Sequence, residues 1–278
     1  MALNLACEST GSGPPLVVLH GLFGSGTNWR GVARDLAATH SVHCVDLRNH
    51  GASPWADTMG YVEMADDVLQ LIVKLRLDCP AVVGHSMGGK TAMAMALRQP
   101  SGVSRLVVVD IAPVPYADTL TPFAEAMRSA DVVVAASRAE VQRRLQDRVP
   151  DAGVVPFLMQ NLVMRNDHFD WRLNLPAIST AMPQLSSFPS ELLGAHFAGP
   201  VGVIAGERSD YVARRDGAAF RPMFDDLEVE SSKAPATGSM PTGPPPFSRA
   251  CGARSQGTRS PWRLPRTETP ARPNGDNP

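Results

Sequence analysis

Apolar residues in the first half of the chain fall into short unbroken runs, separated by stretches with helical spacing. Residues 15–20 (Pro-Leu-Val-Val-Leu-His) form the first run, which stops at a glycine and predicts a buried strand. Trp29, Val32 and Leu36 predict a helix over 27–38, and residues 41–47 predict the next strand. Val62, Met64, Ala65, Val68, Leu71, Ile72 and Leu75 mark a helix over 62–75. A strand over 80–84, an Ala/Met-rich helix over 90–97 and a continuous apolar strand over 104–111 follow. Two more strands are expected over 200–206 and 226–230, with a helix near 212–220 between them. Strands that are runs rather than alternations, and that alternate with helices, predict an α/β fold whose mostly parallel sheet is covered on both faces.

Between 113 and 189 the strand pattern fades, and short helices are expected around 123–127, 138–148 and 154–163. A helical insertion between two strands of a parallel sheet is expected over the strand C-termini as a cap, where ligands bind in open α/β sheets. The expected organisation is a core in two parts, 1–113 and 191–230, a cap over 114–190, and a tail over 231–278. That tail differs in composition: it holds ten of the 25 prolines, Leu264 as its single branched aliphatic residue, and seven Lys/Arg against two Asp/Glu. Such a segment buries too little apolar surface to offset its ordering entropy, so a disordered basic tail is expected.

Composition narrows the function classes. The chain has 278 residues, 44% hydrophobic, with a formal net charge of -1. That is enough for a full core. The balance argues against a dedicated nucleic-acid binder. No apolar run reaches bilayer-spanning length, and the N-terminus lacks the basic and apolar regions of a signal peptide. Cys7, Cys44, Cys79 and Cys251 have no metal-ligand spacing and read as reduced thiols of a cytoplasmic protein. The oligomeric state is open.

Gly84-His85-Ser86-Met87-Gly88 matches G-x-S-x-G between a predicted strand and a predicted helix. In that context Ser86 is turned outward as a nucleophile, and the Met87 N–H faces a developing oxyanion. The same stretch, extended to Thr91, also fits the phosphate-binding pattern G-x-x-x-x-G-K-[ST], with Asp110 placed as a Mg²⁺-positioning carboxylate. His20-Gly21-Leu22-Phe23-Gly24, at the end of the first predicted strand, favours the hydrolase reading. An oxyanion hole needs a second N–H from that loop, and Leu22 or Phe23 can supply it. Asp46-Leu-Arg-Asn-His50-Gly51 reads as a polar turn with a structural role.

Together these runs resemble the α/β-hydrolase superfamily, and within it the YbfF-type esterases. The shared runs are His20 to Ser25, Asp46 to Gly51, Gly84 to Lys90, Asp110 to Pro113 and Trp171 to Leu175, across roughly 12–230. The resemblance implies a serine hydrolase cleaving small-molecule esters of short acyl chains, or thioesters, through an acyl-enzyme, with no metal or organic cofactor. Chain order in this fold is Ser, then Asp or Glu, then His. Asp110 and Asp210 both qualify as the acid, and the resemblance favours Asp110.

The base is expected after the last strand, yet the seven histidines are His20, His40, His43, His50, His85, His168 and His196. The chain as written therefore lacks its general base, and a catalytically dead relative is the alternative reading. Loss of one base after the codon of Glu230 accounts for both the odd tail and the missing residue. The alternate frame permits Val-Ile-Glu-Gly-Ala-Gly-His-Trp-Val-His from Ser231 onward, with Thr237 and Gly238 supplying the constrained bases of His-Trp. A Gly-His-Trp-x-His segment is what the resemblance implies at this place.

Overall fold

The computed structural model describes residues 1–149, 151–206, 212 and 217–232, with Ser231 and Ser232 as backbone. A seven-stranded sheet carries the fold. Its spatial order is β1 (Cys7–Thr10), β3 (Ser41–Val45), β2 (Pro15–Leu19), β4 (Ala81–His85), β5 (Arg105–Val109), β8 (Phe197–Gly206) and β9 (Phe224–Ser232). β1 runs antiparallel to β3, and all other pairings in this sheet are parallel.

The unbroken apolar runs have the expected cause. Leu16 and Val18 of β2, and Val107 and Val109 of β5, join one cluster with Trp29, Val32 and Leu36 of the segment ending in α1 (Arg30–Leu36). Their neighbours Val17, Leu19, Leu106 and Val108 join a second cluster with Met64 and Val68 of α2 (Tyr61–Leu75) and Met93 of α3 (Met87–Arg98). Both faces of the central strands are dry, so β2, β4 and β5 read as nearly unbroken apolar runs. β1 escapes the pattern because it lies at the sheet edge, with Glu8, Ser9 and Thr10 exposed.

The segment between β5 and β8 holds α4 (Thr121–Arg128), α5 (Arg138–Gln146), α6 (Val155–Leu158) and α7 (Leu175–Leu185). It also holds a hairpin of β6 (Leu162–Arg165) and β7 (His168–Trp171), so the helix expected over 154–163 holds as short helical turns up to Asn161 and gives way to strand at Leu162. Asn166 and Asp167 both have positive φ, 44° and 68°, the geometry of a two-residue hairpin turn. Phe169 and Trp171 alternate with less buried residues along β7. Helix α7 is hidden from the pattern by Pro183 within it, although Asn174 caps its start. The helix expected near 212–220 falls partly outside the described residues. Its described part, within 218–223, forms turns, with Gly217 at φ 53° before it and Pro222, which lacks an N–H, inside it. β9 extends to Ser232, and the tail expectation otherwise lies outside the described residues. Among the described residues no helix is long and apolar enough to cross a bilayer.

One buried ion pair braces the loop after β3. Arg48 grips Asp67 of α2 through Nε–Oδ2 at 2.7 Å and Nη2–Oδ1 at 2.8 Å. Arg48 also donates to the Thr58 and Glu63 carbonyls, and Asp67 accepts the Leu3 N–H. Both side chains are almost completely buried. Removing one partner strands the other charge. Asp67→Ala is therefore expected to destabilise the fold by about 3–5 kcal/mol in urea denaturation, and a double Arg48→Met/Asp67→Leu variant to recover most of it. Equal losses in the single and double variants would contradict this account.

Candidate active site

The turn from β4 into α3 is a single residue, Ser86, with φ 51° and ψ -116°. This is a strained backbone for a residue with a Cβ, and strain of that kind costs about 1–3 kcal/mol. Neighbouring glycines make it feasible. A Cβ on Gly84 would collide with the Gly88 carbonyl. A Cβ on Gly88 would lie 2.6 Å from the carbonyl oxygens of Leu19 and His20. The Ser86 N–H donates to Val109 O at 3.0 Å, tying the turn to β5.

Ser86, Leu22 and Met87 line one cavity, together with Tyr61, Lys90, Ile111, residues 116–120, Met182, Leu185 and Ser186. The Met87 N–H is the first of α3, one of the helix donors without an intrahelical acceptor, at the positive end of the helix. The loop after β2 approaches closely: a Cβ on Gly21 would stand 3.4 Å from Ser86 Cβ. The two amides of that loop named as donors separate here. Phe23, at φ 60°, gives its N–H to His50 Nε2 at 3.2 Å. Its carbonyl accepts from Asn161 Nδ2 at 2.8 Å. The Leu22 N–H has no partner among the described residues. This geometry argues against Phe23 as an oxyanion donor and leaves Leu22.

Asp110 follows β5 directly, with φ 57°. His85 pairs with Val109, so Ser86 and Asp110 stand one step beyond adjacent strand ends. The Asp110 N–H donates to Ile204 O, and its Oδ1 accepts the Gly206 N–H at 3.3 Å. The carboxylate is therefore held toward the end of β8. Asp210 lies outside the described residues.

None of the seven histidines lines the cavity. His20 donates from Nδ1 to Gly21 O and accepts the Leu47 N–H at Nε2. His50 donates from Nδ1 to Arg48 O and accepts the Phe23 N–H at Nε2. Each bond pattern requires the neutral ring. Burial pushes His20 down to about 4 and His50 down to about 3. Burial also lowers His85, against the opposing pull of Asp110. His43 sits within β3 between Ser9 and Ser41, His168 is half-buried on the hairpin and His196 is exposed.

The phosphate-binding reading fails on geometry. A phosphate cradle needs several loop residues between strand and helix, and here there is one. Lys90 lies in the second turn of α3, and its Nζ donates to two backbone carbonyls, Val114 O and Ser187 O.

The Asp46 to Gly51 run does more than bond its own backbone. Asp46 accepts the N–H groups of Gly26 and Ala52. Asn49 accepts from Asn174 Nδ2 at 3.1 Å, and its carbonyl accepts the Asn174 N–H at 3.0 Å. Two runs that are distant in sequence therefore meet as one contact between the core and the insertion.

A family model described as alpha/beta hydrolase fold matches residues 14–146. The sequence is 39% identical over 226 residues to the sn-1-specific diacylglycerol lipase ABHD11 of Xenopus laevis, covering 78% of this chain and 72% of that protein. The chain belongs to the α/β-hydrolase family. This hydrolase is also 32% identical over 222 residues to esterase YbfF of Escherichia coli (strain K12), covering 77% of this chain and 84% of that one. A solved structure titled marine microorganism esterase superposes with a TM-score of 0.78 at 33% identity, covering 83% of this chain and 91% of that chain. Within the family, the hydrolase is therefore of the esterase and lipase type.

The two buried neutral histidines make stability depend on pH. Both folded values lie below the ordinary 6.5, so the unfolded chain takes up protons that the folded chain refuses. Their contribution is complete above about 6.5 and is lost as pH falls toward 4 for His20 and 3 for His50. Replacing His50 by Gln is expected to flatten the stability-against-pH curve in this window by about one proton, or ~1.4 kcal/mol per pH unit. An unchanged slope in denaturant titrations across the window would refute the neutral-ring assignment.

Proposed function

We propose that this α/β hydrolase is built to cleave carboxylic esters or thioesters of short acyl chains through an acyl-enzyme on Ser86. The observation that carries the reading is the strained Ser86 turn, which sets the side chain on one cavity with Met87 and Leu22. In this reading Ser86 Oγ attacks the carbonyl carbon. The carbonyl π electrons move to oxygen, and the Met87 and Leu22 N–H groups hold that oxyanion. Collapse expels the alcohol or thiol, and water then releases the acid. Asp110, or Asp210 in its place, orients the imidazole that takes and returns the proton. Residues 114–190 act as the cap, and the three unpaired thiols Cys7, Cys44 and Cys79 fit a reducing, cytoplasmic setting.

The imidazole is the missing part. We read the sequence after Glu230 as frame-shifted, with the restored frame supplying Gly-His-Trp-Val-His. As printed, Ser86 has no base, and only binding and oxyanion contributions remain, roughly 10³–10⁴ over water. A catalytically dead relative is the second reading, favoured by the absence of any histidine lining the cavity.

Resequencing the coding DNA across codons 225–255 tests the frame. A dropped base predicts that the restored chain hydrolyses p-nitrophenyl acetate or butyrate and loses this activity in Ser86→Ala. The printed chain is expected to turn over about a thousandfold or more slowly than the restored chain. A coding sequence that cannot yield His-Trp in the alternate frame would refute the frameshift. Turnover unaffected by Ser86→Ala would refute the nucleophile.

A further inference from the structure

Lys90 is a buried cation whose two hydrogen-bond acceptors both belong to the base of the insertion. It is 1% exposed. Its Nζ donates to Val114 O at 3.0 Å, where the chain leaves the core, and to Ser187 O at 2.6 Å, where the chain returns. The ammonium also stands 4.8 Å from the Tyr116 ring centroid and 5.6 Å from that of Tyr61. Tyr116 and Tyr61 act on the same two linkers. The Tyr116 N–H donates to Ser186 O at 2.8 Å, and its hydroxyl accepts the Ala112 N–H at 2.8 Å. The Tyr61 hydroxyl donates to Leu185 O at 2.6 Å. Among the described residues Lys90 has no carboxylate partner.

Burying an ammonium without an anion is costly, and burial pushes Lys90 down to about 8. Here the charge meets two carbonyl oxygens and two ring faces. Those carbonyls are the ends of the two linkers, and Lys90 sits one helical turn after the nucleophile, with its N–H on Ser86 O at 3.1 Å. Tyr61, Lys90, Tyr116, Leu185 and Ser186 all line the Ser86 cavity. We propose that Lys90 is a positioning residue, pinning both linkers of the insertion to the nucleophile helix and thereby setting the height of the cavity over Ser86 and the acyl length it accepts.

Lys90→Met keeps the apolar stem and removes the donors. Amide hydrogen exchange on the full chain is expected to accelerate about tenfold or more at Val114, Tyr116, Ser186 and Ser187, with β2, β4 and β5 unchanged. Tyr61→Phe is expected to accelerate Ser186 and Ser187 alone. Unchanged linkers in Lys90→Met, or acceleration spread evenly over the sheet, would overturn the proposal. If Lys90→Met does not fold, the unsubstituted chain still decides. Its Lys90 ammonium protons should persist in ¹⁵N-detected spectra at pH 6 with cross-peaks to the Tyr116 ring, and fast solvent exchange would refute the pinning.

A second arm, which rests on Ser86 being the nucleophile, reads acyl length. In the frame-restored chain, the ratio of labelling rates for ethyl and octyl phosphonate probes is expected to shrink about fivefold in Lys90→Met, and an unchanged ratio would overturn the length assignment. A frame-restored chain that no probe labels would count against the nucleophile reading, while the exchange results would still judge the clasp.

Discussion

At Gly88 the first turn of α3 lies against the carbonyls of Leu19 and His20, with no room for a methyl group. The glycine at 84 gives way to the same turn from the strand side. This contact brings the end of β2 and the start of α3 together at backbone distance. The strained Ser86, Met87 and Leu22 line one cavity as a result. A larger residue at either glycine would move Ser86 away from the loop after β2, whatever the rest of the sheet did. The elbow's strain, a few kcal/mol at most, is held by helix, strand and loop acting on one another.

Around that contact the fold uses buried polar groups as braces. His50 holds the Phe23 N–H and Asn161 holds the Phe23 carbonyl, which fixes the two peptide units flanking Phe23. Arg48 and Asp67 anchor the run that carries His50, and Asn49 with Asn174 joins that run to α7. Such groups contribute little net stability when fully paired, but leaving any one unpaired costs several times more. Their effect is to select one arrangement of loops over others of similar compactness. The same logic applies to Lys90, whose charge is tolerated where two linkers present carbonyls and two tyrosines present their ring faces.

Much of the site was legible because its chemistry is local. The turn at Ser86 needs glycines at 84 and 88 and a strand and a helix on either side, and all of these are neighbours in the chain. The strands at 15–20, 80–84 and 104–111 were legible for the same reason, since both faces of each are buried and the run is unbroken. The hairpin at 162–171 was harder. Its Asn166-Asp167 turn was readable, but the pattern around Val163 continued that of α6. β1 at the sheet edge left no apolar trace, and Pro183 masked α7. Which loop amide remains available depends on His50, which lies 27 residues beyond Phe23 in the chain.

The sequence alone determined the sheet class, the Gly-x-Ser-x-Gly turn at Ser86 and the absence of a histidine after β9, because each is written in contiguous residues or in composition. The change of composition after Glu230 is likewise a property of the linear chain. Tertiary structure decided what the polar runs do. It turned Phe23 away from the cavity, set Asp110 toward Gly206, joined Asn49 to Asn174 and buried Lys90 beneath the two linkers. Those outcomes depend on hydrogen bonds between residues far apart in the chain. A linear pattern specifies which faces are dry, but not which buried donor meets which acceptor.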